Sequence, residues 1–194
     1  MKSSEKLRKR NFRILTFSTA LMALAFGLFG PFYLIFINRI GGSIENFGIA
    51  VGLMVLFGAL LSLVVGKYSD KFGRKPFLIF GGYASAIIVF LYTIIGSIWQ
   101  LYILQILSGL IIAIFEISES AYLADLTTKH ERGKDMGKYW AFLGIAEASA
   151  IIIGGFLVGR FGFKTIFYVV SIMFIISTTV MLKLNQKIFS QKNG

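Results

Sequence analysis

Glu116, Glu119 and Glu147 are carboxylates set inside long apolar stretches, and each needs a reason to be there. Facing lipid while charged, such a group is disfavoured by roughly 3 kcal/mol or more. No lysine or arginine shares either stretch to neutralise it. The three must therefore line a wet cavity, hydrogen-bond to polar neighbours, or hold a proton. Gln105, Ser108, Gly109, Ile112, Glu116 and Glu119 fall on one side of a single stretch at helical spacing. Glu116 and Glu147 lie at similar depths. Reversible binding of a proton or a cationic group is the chemistry that suits this pattern. Glu116, Glu119, Glu147 and Gln105 are the candidate solute- or proton-binding residues, and Thr16, Thr19 and Asn38 add polar groups from another stretch. Interhelical hydrogen bonding is the plainer alternative.

Other chemistry has little to draw on. The chain has no cysteine, so disulfides, thiol catalysis and thiolate metal sites are excluded. Its single histidine, His130, stands in a charged loop. There is no glycine-rich phosphate loop. The expectation is therefore no catalytic residue, no metal, no cofactor and no enzyme.

The elements that must hold these residues follow from composition. Of 194 residues, 56% are hydrophobic and only 15% charged. A soluble domain carries about 45–50% and about 25%. A helix needs roughly 20 apolar residues to cross the hydrocarbon core. Six stretches approach that length: 14–37, 47–65, 77–95, 101–124, 139–158 and 165–184. They are continuous rather than alternating, which favours helices over barrel strands. The first runs well past the short apolar part of a signal peptide and reads as a retained span.

The predicted fold is all-α: a polytopic membrane protein with a basic N-terminus (1–13), six transmembrane helices (14–184) and a polar tail (185–194). Pro31 should kink the first span. Pro76 fits the first turn of the third. Gly41-Gly42, Gly96-Ser97 and Gly162 punctuate turns.

The net charge of +11 is segregated. With the N-terminus inside, 17 of the 20 lysines and arginines fall on the cytoplasmic side, leaving Arg39, Arg160 and Lys164 outside. That bias sets the orientation, with both termini cytoplasmic. It also argues against nucleic acid, because the basic clusters are spread over one membrane face without interleaved aromatics. The expected surroundings are a lipid bilayer, in the cell membrane.

A shift of 89 residues lays the second span on the fifth. Gly48 meets Gly137, Ala59 meets Ala148, Gly66 meets Gly155, and Gly73 falls on Gly162. Spans one to three thus read as a copy of spans four to six. Three is odd, so the second copy is inverted, as in secondary transporters. The same alignment collects small residues on one face: Gly48, Gly52, Ala59, Ser62 and Gly66 in span two, and Gly137, Gly144, Ala148 and Gly155 in span five. Close helix packing is their simplest use.

The charged loops can hold ion pairs. Asp125 ends span four, at the negative end of that helix's dipole, and needs a cation. Arg74 is better suited than Lys71, since arginine can grip a carboxylate with two parallel bonds. Asp70 can accept from backbone N–H groups at the start of span three.

Gly66-x-x-x-Asp70-Lys71-x-Gly73-Arg74-Lys75 resembles the loop signature of the major facilitator superfamily of transporters. Ala124-Asp125-Leu126-Thr127, Glu131-Arg132-Gly133 and Met136-Gly137 are similar to that family's loop between spans four and five. The resemblance covers nearly the whole chain as an N-terminal six-helix half. It implies that Gly66, Asp70, Lys71, Gly73, Arg74, Lys75, Asp125 and Arg132 form the cytoplasmic loops that gate alternating access, and that spans one, four and five border a solute cavity. The chain departs from the family's drug antiporters. Gln105 stands where they carry an arginine, and Ala150-Ile151 precedes Gly154-Gly155 where they carry a Gly-Pro pair.

The resulting expectation is a secondary carrier of a small-molecule solute, with proton coupling open. Six helices have no second wall to rock against. A homodimer or a separate second transporter half would supply one. The alternative is a non-transporting membrane subunit or a remnant of a longer carrier.

Overall fold

The computed structural model describes residues 2–128 and 130–185, with side chains from Glu5 onward. Met1, Lys129 and all of the expected polar tail beyond Asn185 lie outside the described residues.

Helix α1 (Lys2–Gly27) runs from the basic N-terminus into the first apolar stretch without a break at residue 13. Lysine and arginine are good helix formers, and the apolar run simply continues their helix. The helix stops before Pro31. A short 3-10 helix (Gly30–Phe32) holds the proline in its first turn, and α2 (Tyr33–Arg39) resumes the path. Gly41, at φ 84°, makes the turn into α3 (Ile44–Phe72). Ser43 and Asn46 close a capping box at its start.

Only Gly73 separates α3 from α4 (Arg74–Leu91), which carries Pro76 in its first turn. The Ser97 hydroxyl accepts from the Gln100 N–H to start α5 (Ile98–Leu126). The last helix, α6 (Arg132–Met181), spans 50 residues but breaks at Gly162 (φ 74°, ψ 168°).

Among the described residues there is no strand, and five helical segments are long and apolar enough to cross a membrane: Glu5–Arg39, Ile44–Phe72, Arg74–Leu91, Ile98–Leu126 and Arg132–Met181. α1 packs chiefly on α6, α3 on α5, and α4 on both α5 and α6. The closest approaches are at glycines. A Cβ on Gly109 would lie 2.0 Å from the Met54 carbonyl oxygen, and one on Gly58 would lie 3.0 Å from the Gly109 carbonyl oxygen. A Cβ on Gly27 would meet the Glu147 carbonyl oxygen at 2.6 Å, and one on Gly154 that of Leu28 at 2.7 Å. The stripes expected from the sequence are different residues. Gly48, Gly52, Gly66, Gly137 and Gly144 face open space, and Gly155 only brushes the Phe32 ring.

The charged segments meet at one end of the bundle. Arg10 donates to the Lys183 carbonyl (3.2 Å) and Lys75 to that of Leu182 (2.7 Å). Arg74 and Arg132 both reach the end of α5. The opposite end is closed by rings, with Phe36 and Phe167 centred 5.1 Å apart and Tyr92 and Phe167 5.3 Å apart. Arg39 lies over Phe163 there.

Candidate functional site

Arg74 organises the charged end. Gly73, at φ 86°, turns the chain so sharply that α4 begins where α3 stops. That turn leaves Asp70 four residues behind Arg74 and still within reach. Arg74 Nη2 donates to Asp70 Oδ1 at 2.9 Å. Nη1 donates to Asp125 Oδ2 and to the Ala121 carbonyl oxygen on α5. The expected two-pronged grip on Asp125 is therefore replaced by one guanidinium shared between two carboxylates. Asp70, read from the sequence as an acceptor of backbone N–H groups, takes Arg74 instead.

Arg132 completes the end of α5 differently. Its Nε donates to Thr127 Oγ1 (3.2 Å) and its Nη2 to the Ala124 carbonyl oxygen (3.4 Å), placing a cation at the negative pole of α5. Lys71 is exposed and lies over the Phe72 ring. Lys75 ties the start of α4 to the end of α6. Gly66 has open space at its α-carbon.

The residues within the spans divide into two groups. Glu119 is buried, and Tyr139 of α6 donates to its Oε1. The Thr19 hydroxyl of α1 is buried and makes no hydrogen bond among the described residues. Gln105 is also buried, its Oε1 accepting from the Tyr92 hydroxyl at 2.7 Å. These two make the interhelical hydrogen bonds of the plainer alternative. Glu116 and Glu147 do not. Both are exposed, within the long apolar stretches of α5 and α6. Of the polar groups in the first span, Thr16 bonds back to the Phe12 carbonyl and Asn38 is exposed.

Sequence reasoning missed Asn11. It is wholly buried among basic neighbours. Its Nδ2 donates to the Tyr122 hydroxyl (2.9 Å) and to the Asn185 carbonyl (2.8 Å), and its Oδ1 accepts the Asn185 N–H (3.3 Å). A polar residue just before an apolar run reads as solvated. Only the return of the last helix beside the first buries it. Tyr139 was hidden for a similar reason, since tyrosine at a span border reads as an interface anchor.

The profile of the Major Facilitator Superfamily matches residues 15–191. Over 162 residues the chain is 37% identical to an uncharacterized MFS-type transporter of Bacillus subtilis, YitZ, covering 84% of this chain and 99% of that protein. It is 30% identical to the multi-drug resistance efflux pump PmrA of Streptococcus pneumoniae over 84% of this chain and 41% of the pump. It is 29% identical to the multidrug resistance protein MdtG of Salmonella paratyphi C over 86% of this chain and 43% of that protein. The chain thus spans nearly all of the first relative and less than half of the other two.

Proposed function

The chain belongs to the Major Facilitator Superfamily, and on that premise we propose that it carries a small solute across a membrane by alternating access, as one six-span half of a secondary carrier. It is an integral membrane protein. The observation that carries the reading is the exposure of Glu116 and Glu147 on apolar helices. A carboxylate left there against lipid is strongly disfavoured, so these faces border a water-filled cavity. Glu116 and Glu147 then meet solute or proton directly. Glu119 and Gln105 hold the cavity wall in shape through Tyr139 and Tyr92.

Six spans are favoured because α6, at 50 residues, would extend about 75 Å unbroken. The hydrocarbon core is about 30 Å thick. The break at Gly162 turns it into two crossings. An inverted repeat is supported by the same glycine: Gly73 and Gly162 share positive φ, at 86° and 74°, at equivalent places in the 89-residue shift. The charged end is then cytoplasmic, with both termini, and Arg74 clasping Asp70 and Asp125 latches it. The open stripes of α3 and the first part of α6 face a second six-helix bundle, in the same assembly or from a second copy.

Two measurements test this. The chain has no cysteine, so a Glu116→Cys variant carries one label site. A water-soluble maleimide should modify it within the membrane, and protection from that reagent in every condition would remove the wet cavity. Proteoliposomes given a proton gradient and a panel of small solutes should take one up, and Glu116→Gln should alter its pH dependence. Normal uptake by that variant across the pH range would overturn the role of Glu116. No uptake, together with a monomer in native membranes, would favour the non-transporting subunit.

A further inference from the structure

The charged end holds a groove that neither the clasp nor the carboxylates use. It lies between the N-terminal turns of α1 and the start of α6, with a volume near 330 Å³. Five cations line it: Arg8, Lys9 and Arg13 from α1, and Lys134 and Lys138 from α6. Among the described residues, Glu131 and Asp135 are the only carboxylates on its wall. Lys9 is already paired, at 2.6 Å from Glu5. Arg8, Arg13, Lys134 and Lys138 are in no ion pair among the described residues.

Arg13 on α1 opposes Lys134 and Lys138, which are four apart on α6. Like charges at that spacing destabilise a helix, and the facing guanidinium adds to the repulsion. A bound anion with charge at two points relieves it. Phe12 and Leu126 add apolar surface to its wall. Arg13 and Lys138 each stand immediately before an apolar stretch, so the groove lies where lipid headgroups meet acyl chains. A basic pocket between transmembrane helices at that level is suited to an anionic headgroup.

We propose that this groove binds the headgroup of an anionic phospholipid, and that a headgroup with two phosphates fits it better than one with a single phosphate. The phosphates sit between Arg13 on one wall and Lys134 and Lys138 on the other, while the glycerol backbone rests on Phe12 and Leu126. Contact with Phe12 and Leu126 favours a lipid over free phosphate. Only the assignment to the cytoplasmic leaflet rests on the orientation given above. Binding itself does not need transport.

The full chain, purified in detergent, is offered equal amounts of diphosphatidylglycerol, phosphatidylglycerol and phosphatidylcholine, and the retained lipid is read by native mass spectrometry. Retention should follow that order. The Lys134→Gln, Lys138→Gln double variant should retain the two-phosphate lipid roughly tenfold less. A Lys6→Gln, Lys67→Gln double variant, which removes the same charge outside the groove, should retain it as the native chain does. Circular dichroism confirms that both variants fold. Equal losses in the two variants would reduce the effect to general surface charge and overturn the site. Equal retention of all three lipids would also overturn it. Inorganic phosphate at millimolar concentration that displaced the lipid would assign the groove to a free anion instead. Loss of uptake with lipid selectivity intact would count against the transport reading and leave this one standing.

Discussion

Two sets of glycines on α3 and α6 do opposite things. Gly58 on α3 and Gly154 on α6 press against the backbones of α5 and the first span. Gly52 on α3 and Gly144 on α6 belong to the stripes and touch nothing. In lipid there is no water to expel between helices, so association rests on close van der Waals contact and hydrogen bonds. The first set gives this bundle its contacts. The second leaves two smooth faces open.

The comparison breaks most sharply at Gly109. Its partner, the Met54 carbonyl, already lies 2.0 Å from where a Cβ would sit. Gly109→Val should destabilise the protein by about 3 kcal/mol or more, since backbone cannot step aside as a flexible side chain can. The monodisperse peak on size exclusion should be lost. A native yield and melting temperature would mean that α3 and α5 do not meet there.

The clasp comes next. Arg74→Ala leaves Asp125 and the nearby α5 carbonyl without their donor, an expected loss of about 1–2 kcal/mol after allowing for partial exposure. Arg74→Lys should recover only part, because a single ammonium cannot bridge Asp70 and Asp125 with a planar fork. Thermal unfolding in micelles reads both variants. A full recovery by lysine would reduce the clasp to simple charge.

Tyr139→Phe should destabilise by about 1 kcal/mol or more by leaving buried Glu119 without its donor. Adding Glu119→Leu should restore much of that, because removing both partners leaves no orphaned polar group. A double variant no better than the sum of the singles would mean that the pair does not interact.

The smallest effect sharpens the comparison best. Gly52→Ala and Gly144→Ala, each with open space for the methyl, should shift stability by no more than about 0.5 kcal/mol. Solute uptake in vesicles should fall nonetheless if these faces meet a second bundle. Unchanged uptake would return the stripes to lipid.

The sequence by itself determined the medium, the all-helical class and the segregation of charge. Those follow from local quantities: runs of apolar residues long enough to span, prolines that stop a helix, and cations that avoid the runs. Even the choice of Arg74 as partner for Asp125 was legible, because a carboxylate at a helix end needs a cation at the same level. Only the tertiary structure decided which glycines pack, which glutamate is buried and where Asn11 finds its partners. Helical spacing says which residues share a face, but not what that face meets. Glu116 and Glu119 are three positions apart on one helix, and the approach of α6 through Tyr139 buries one and leaves the other open.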